Sequence, residues 1–469
     1  MPEISVADQN KHNKKRQLLM KNDRALGLIL VAVLMLLAGC GGGVDGVEGR
    51  YVAKTDDGLD IKMRRYRPSN GYRYRSGQPV LLFPGIVNNF DQFDVRSPLW
   101  LNSYNYQMPS DAPQWAKDDP IVQKDNLKMF SLAHYLYLRG YDVWLGNFRG
   151  TGRGDFKSDN GNGNTTLDVW CALDYPAAVA KVRAVTGRKP VIGGFSTGAM
   201  CAYQYLQGTT MDASVVKAGE NLPHVRGSTT LAAQRNNQVA GFLGLDPAGA
   251  PDFAYNFMVD NAIGWDLLAL EVKMDLDAVL PVVLSLVPPI VVAGATDIIF
   301  KTISNMADAF PVLLPGWMDL FGAIEIWNTA NTNGYVEDFM VRIGLSGFYI
   351  GNIAQFADWG LNDFQLREHW QNGYENRNRL IAVDREAGDG YYYYNDHMDR
   401  ITVPAFAVFS ESNGGVNPER MSNLLFAGKT QHPNDQWMVV PGTSHLDVLV
   451  GNTAPTVSFP AIADWLDSL

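Results

Sequence analysis

Gly194-Phe195-Ser196-Thr197-Gly198 is a Gly-x-Ser-x-Gly pentapeptide set between an apolar strand-like run and a helix-like stretch that begins at Thr197. A turn that tight leaves no room for side chains at its flanking positions, so glycines there let Ser196 project from the end of the strand. A serine hydroxyl is a weak nucleophile at neutral pH and needs a base to take its proton. The chain has 7 histidines, and His12, His134, His224, His369, His397 and His432 fall in the leader, in helices or in connecting segments. Only His445, within Pro441-Gly442-Thr443-Ser444-His445-Leu446-Asp447, follows the last strand-like run, where the C-terminal ends of a doubly wound sheet meet over one crevice.

The carboxylate that orients the histidine has more than one candidate. In sheets of this kind it follows the penultimate strand, here Phe409-Ser410-Glu411-Ser412-Asn413, and Asn413 stands at the expected position. An amide does not stabilise imidazolium as a carboxylate does. Gly244-Leu245-Asp246-Pro247-Ala248 ends the strand after the nucleophile helix with an acid, so Asp246 is the expected third member, with Glu411 and Asn413 as the alternatives. Stabilising a tetrahedral oxyanion takes backbone donors. Thr197 N–H is one, and Ile86 N–H is the choice for the other, because Pro84 has no N–H to give. Asn88 and Asn89 either hydrogen-bond substrate or are ordinary loop residues. No metal-ligand spacing and no cofactor motif is evident, so none is expected.

The elements that must carry these residues alternate. Strand-like runs at 51–54 and 59–66 flank the turn signal Asp56-Asp57-Gly58, and further strands are expected at 79–83, 141–145, 191–195, 239–245, 403–410 and 437–440. Helical spacing occupies 127–139, 170–185, the stretch from 197, 418–426 and 461–469. Continuous apolar strands separated by helices predict a mostly parallel sheet covered on both faces. Residues 250–400 lack the alternation and read as a large inserted cap between a first core part, 51–249, and a last part, 401–469. Its most apolar stretch, 278–293, contains Pro281, Pro288 and Pro289, which would break a spanning helix. That stretch is either a set of buried cap helices or a surface that meets acyl chains.

Of the 469 residues 46% are hydrophobic and 19% charged, enough to bury a core. The net charge of -10 is a poor match to nucleic acid, which is excluded as a partner. Near the N-terminus, Lys21 and Arg24 precede a fourteen-residue apolar run, 25–38, that ends in Leu37-Ala38-Gly39-Cys40. Charge, apolar length, small residues and cysteine in that order resemble a lipoprotein signal peptide over 1–39, with Cys40 as the lipidated mature N-terminus and 40–50 as a glycine-rich tether. Met1 and Met20 both stand as candidate starts. Residues 1–39 hold six basic and three acidic side chains, so their removal takes the net charge from -10 to -13. Gly41 after the cysteine favours, by resemblance to Gram-negative lipoproteins, the outer membrane. Cys171 and Cys201 either pair in an oxidising compartment or remain buried thiols.

Taken together these motifs resemble the acid lipases, the gastric and lysosomal lipases of the α/β-hydrolase superfamily. Residues 141–150 look like that family's GYDVWLGNxRG signature, Asp174-Tyr175-Pro176-Ala177 its DLPA segment, and Ser444-His445-Leu446-Asp447 its NHLD box. The resemblance implies the α/β-hydrolase fold and ester hydrolysis, with Ser196 and His445 carried over. Four positions depart from it: Pro84 for a histidine, Phe195 for the histidine before the serine, Thr197 for a glutamine, and Asn413 for the acid. The segment 244–248 is similar instead to the GLDPA of pancreatic lipases, whose acid follows that strand. The expected protein is an exported, lipid-anchored serine hydrolase acting on ester or lipid substrates. A short-chain esterase, thioesterase or polyester depolymerase with the same triad, or a non-catalytic lipid-binding lipoprotein, are the alternatives. Oligomeric state stays open.

Overall fold

The computed structural model of the chain describes residues 47–68, 77–98, 106–219, 224–249, 270–276, 328, 330–361, 365–369, 391–411 and 416–469. Eight strands form one sheet: β1 (Val47–Lys54), β2 (Asp60–Arg67), β3 (Pro79–Phe83), β4 (Asp142–Gly146), β5 (Val191–Phe195), β6 (Gly241–Leu245), β7 (Ala405–Ser410) and β8 (Gln436–Val440). Their order is β1-β2-β4-β3-β5-β6-β7-β8. β2 runs antiparallel to β4, and the pairings from β4 through β3, β5, β6 and β7 to β8 are parallel. Strands β3 to β7 are buried along their whole length, which is why their sequences are continuous apolar runs rather than alternating ones.

Helices cover both faces, and each face has its own core cluster. The helices that matter for the site are α1 (Leu132–Leu138), α2 (Tyr175–Thr186), α3 (Thr197–Leu206), α4 (Gly334–Phe339), α5 (Ile350–Leu361), α6 (Pro418–Ser422) and α7 (Ser458–Ser468). Every residue of α3 is buried, so the helix that follows Ser196 is wedged into the core rather than laid on it. The helix expected over 127–139 is instead a 3-10 turn, Asn126–Phe130, followed by α1. Ser131 accepts from His134 N–H and starts a new helix there. The stretch expected at 170–185 opens with a π-helical turn, Trp170–Asp174, before α2. Phe148 stacks on Trp170 beside that turn, with ring centroids 4.5 Å apart.

Cys171, in the π-helical turn, and Cys201, in α3, form a disulfide buried in the core. Two free buried thiols, the other reading of the sequence, do not describe this pair. The connection from β6 to β7 is the long one. Its described residues include α4, α5 and a two-stranded pairing of Lys273–Met274 with Phe348–Tyr349. The apolar stretch 278–293, the leader 1–39, Cys40 and Asn413 lie outside the described residues. Among the described residues no helix is long and apolar enough to cross a membrane.

Candidate active site

The sequence of β5 dictates the turn that displays Ser196. A Cβ on Gly194 would lie 2.2 Å from Phe83 O and one on Gly198 2.0 Å from the same oxygen, so only glycine allows β3 to pass this close. Ser196 itself has φ 51, a left-handed value that costs energy in a residue with a side chain. Its N–H still donates to Leu245 O at 2.9 Å, which ties the turn to β6. Val87 and Asp246, with φ 59 and 43, are the other non-glycine residues of positive φ among those described. All three follow the C-terminal ends of neighbouring strands, β3, β5 and β6. Strain is concentrated where the candidate groups meet.

Asp246 sits one residue beyond β6 and is fully buried. Its N–H donates to Val408 O at 2.7 Å, so the backbone is held by β7. The side chain makes three polar contacts: Oδ2 faces His445 Nδ1 at 2.6 Å, the same oxygen accepts from Ser410 Oγ at 2.9 Å, and Oδ1 accepts from Ser410 N–H at 3.2 Å. A carboxylate accepts hydrogen bonds, so the proton of neutral His445 belongs on Nδ1, and Nε2 carries the ring's lone pair. The His445 ring lies against Phe195, with centroids 4.6 Å apart, which places it beside the residue preceding Ser196. Phe195 stands where the resemblance expects a histidine, and here it packs against His445 instead.

The loop after β3 lies against the nucleophile from the other side. A Cβ at Gly85 would be 3.3 Å from Ser196 Cβ and 2.9 Å from the Phe195 ring, so Ile86 follows a glycine required by the approach. Neither Ile86 N–H nor Thr197 N–H donates to a backbone carbonyl among the described residues. Glu411, the alternative acid, turns away: its Oε2 accepts from Gly442 N–H at 2.7 Å, and its own N–H reaches Thr443 Oγ1 at 3.4 Å. Asn89, read as a possible substrate contact, is buried and spends its side chain on Ile343 O, Leu345 O and Asp91 N–H. The remaining described histidines have other partners; His134 meets Asp119 and His224 meets Glu368.

Strand order 1-2-4-3-5-6-7-8, one antiparallel edge strand and a serine turn between β5 and α3 define an architecture, and residues 78–218 match a family model described as alpha/beta hydrolase fold. The chain has the α/β-hydrolase fold. A Schizosaccharomyces pombe protein named as a probable lipase is 20% identical over 359 residues, 74% of this chain, and the chain spans 64% of that relative's length. Among solved structures, a membrane phospholipase A aligns with TM-score 0.42 and 12% identity over 98% of each chain. A Burkholderia cenocepacia protein described as a putative aryl esterase aligns with TM-score 0.40 and 12% identity, over 90% of this chain and 98% of that one.

Within this fold the residues of the segment 141–150 hold the scaffold. Arg149 is fully buried and forks across two carboxylates, with Nε 2.8 Å from Asp174 Oδ1 and Nη1 2.6 Å from Asp57 Oδ2. A buried guanidinium needs such pairing, and this pair ties the loop after β4 to the π-helical turn before α2. Asn147 fixes the neighbouring loop, accepting from Phe90 N–H and donating to Phe156 O. Sequence reasoning did not single out Ser410 or Asp447. Ser410 is an unremarkable strand-end serine, and its role depends on an acid 164 residues away. Asp447 was visible inside the Ser-His-Leu-Asp box, but its partners were not.

Proposed function

We propose that the protein is a carboxylic ester hydrolase of the lipase and esterase class, working through an acyl-Ser196 intermediate. The observation that carries this reading is the 2.6 Å contact of the buried Asp246 carboxylate with His445 Nδ1, beside a serine held on a strained turn. In the reaction His445 Nε2 takes the Ser196 Oγ proton as Oγ attacks the ester carbonyl, and the carbonyl π pair moves onto oxygen. Ile86 and Thr197 N–H groups donate to that oxyanion. Collapse expels the alcohol, which leaves with the proton from His445. A water then repeats the sequence on the acyl-enzyme and frees the acid. Asp246 orients the ring and stabilises the imidazolium at both stages.

The finer reading is an acid-lipase-like enzyme whose insertion at 250–400 caps the crevice and favours medium or long acyl chains. The name of the S. pombe relative is in keeping with ester substrates. For localisation we propose export behind the 1–39 leader and lipid anchoring at Cys40, in the outer membrane of a Gram-negative cell. The Cys171–Cys201 disulfide suits an oxidising compartment. Hydrolysis of a p-nitrophenyl ester series from acetate to palmitate by purified protein tests the proposal. Activity that rises with chain length and vanishes in Ser196→Ala supports it, activity confined to acetate reassigns the enzyme as a short-chain esterase, and activity surviving in Ser196→Ala refutes the mechanism.

A further inference from the structure

The β6–β7 connection touches both loops that flank Ser196, and it does so with one short segment. At its start, Asn328 N–H donates to Asp447 Oδ2 at 2.9 Å, and the Thr332 hydroxyl is shared between Asn328 O at 2.7 Å and Asp447 Oδ1 at 3.3 Å. Asp447 Oδ2 also accepts from Ser444 N–H at 3.0 Å, the residue immediately before His445. One buried carboxylate therefore joins the connection to the histidine loop. The chain then forms α4 and a π-helical turn, Met340–Gly344, whose apolar side chains share a core cluster with Phe90 and Phe93.

At its end the segment grips the other loop. Asn89 N–H donates to Gly344 O at 2.8 Å, and Asn89 Nδ2 donates to Ile343 O at 2.6 Å and Leu345 O at 3.2 Å. Ser346 N–H donates to Val87 O at 2.7 Å, and Val87 is the residue of positive φ next to Ile86. The left-handed backbone that aims the Ile86 amide is thus fixed from the insertion and not only from the sheet.

We propose that Asn328 and residues 330–346 act as a brace between the general base and the oxyanion loop, with Asp447 and Asn89 as the positioning residues at its two ends. Neither residue touches substrate. The brace sets the separation of His445 from Ile86 N–H, and both must stay within hydrogen-bond reach of the same reacting carbonyl. The proposal rests on the triad reading given above, and a wild-type protein without esterase activity refutes that reading rather than the brace. Given an active wild type, the test is a double-mutant cycle on the full chain with p-nitrophenyl butyrate. Asp447→Asn and Asn89→Asp, each nearly isosteric, should lower kcat by about ten-fold or more with KM within about two-fold, because a misplacement of about 1 Å costs that much.

The pair should lose little more than the worse single variant, since both release one element, whereas two unconnected local defects would multiply. Unchanged kcat in either single variant, or multiplicative losses in the pair, overturns the brace. Should either variant fail to fold, Thr332→Val removes the hydroxyl's contacts with Asn328 O and Asp447 Oδ1, both inside the brace, and leaves the backbone donors to Asp447 in place. It should lower kcat by about two- to five-fold, with recovery in Thr332→Ser, since only one side-chain donor is lost from that end of the brace. Full activity in Thr332→Val overturns the proposal equally.

Discussion

Ser410 Oγ donates at 2.9 Å to the same Asp246 oxygen that faces His445 Nδ1 at 2.6 Å. Ser410 is the last residue of β7, and Asp246 follows the neighbouring β6. The acid sits on one strand and is oriented by the other. Ser410→Ala leaves the carboxylate in place and removes one of its two bonds from Ser410, the other being backbone. We expect kcat to fall about ten-fold with KM unchanged, read from steady-state kinetics, since the lost bond acts on the orientation of the base.

Asp246→Asn should lower kcat by about 10^4, because an amide cannot accept from Nδ1–H while stabilising imidazolium and favours the wrong tautomer. Glu411→Gln should leave kcat within about two-fold, since Glu411 spends its carboxylate on Gly442 N–H. Steady-state kinetics of the two variants side by side separates the candidate acids, and the opposite pattern would move the third member to β7.

Arg149 is buried between Asp57 and Asp174, and removing one partner leaves the guanidinium paired only with the other and takes away its charge-assisted bonds. Asp174→Asn should therefore destabilise the fold by about 1.5–3 kcal/mol, measured by urea denaturation, with residual activity in the folded fraction. An unchanged unfolding midpoint would mean that the fork to Asp57 alone suffices.

Stability should rise as pH falls from about 7 towards 5. Burial pushes the Glu368 carboxyl up to about 7, against hydrogen bonds from Val225 N–H and His224, and burial likewise pushes Asp447 up to about 6. A carboxyl with a raised folded pKa binds its proton more tightly folded than unfolded. Its unfavourable contribution is fully present above the folded value and disappears as pH falls to the unfolded one. Below about 4 the sign reverses, because Asp57, Asp60 and Asp119 have lowered values and their stabilising contribution is lost as they protonate. His397, lowered by burial, opposes the gain below about 6.5. Thermal melts from pH 4 to 8 check the profile, and Glu368→Gln should flatten its upper half.

The serine turn and the position of Asp246 opposite His445 were legible because local chemistry determines them. Gly194 and Gly198 are demanded by the passing Phe83 carbonyl, and Asp246 closes an apolar strand in a pentapeptide with few other uses. The parallel sheet was legible for the same reason, its strands being apolar runs buried on both faces. What escaped depends on distant partners. The pairing of Cys171 with Cys201 is set by how α3 lies against the π-helical turn, which spacing does not encode. Residues 330–346 carry no alternation, so the brace could not be read from periodicity, and Asp447 acquires its role from Asn328 and Thr332 more than a hundred positions away. Ser131 split an expected helix because a serine that caps well outweighs apolar spacing.

The central claim is that Ser196 is an activated nucleophile. Incubating the purified protein with a fluorophosphonate probe and mapping the adduct by peptide mass spectrometry tests it directly, because an ordinary serine does not react. One adduct on Ser196, abolished in Ser196→Ala and strongly slowed in His445→Ala and Asp246→Asn, is the predicted result. A folded protein that stays unlabelled, or labels at another serine, contradicts the account.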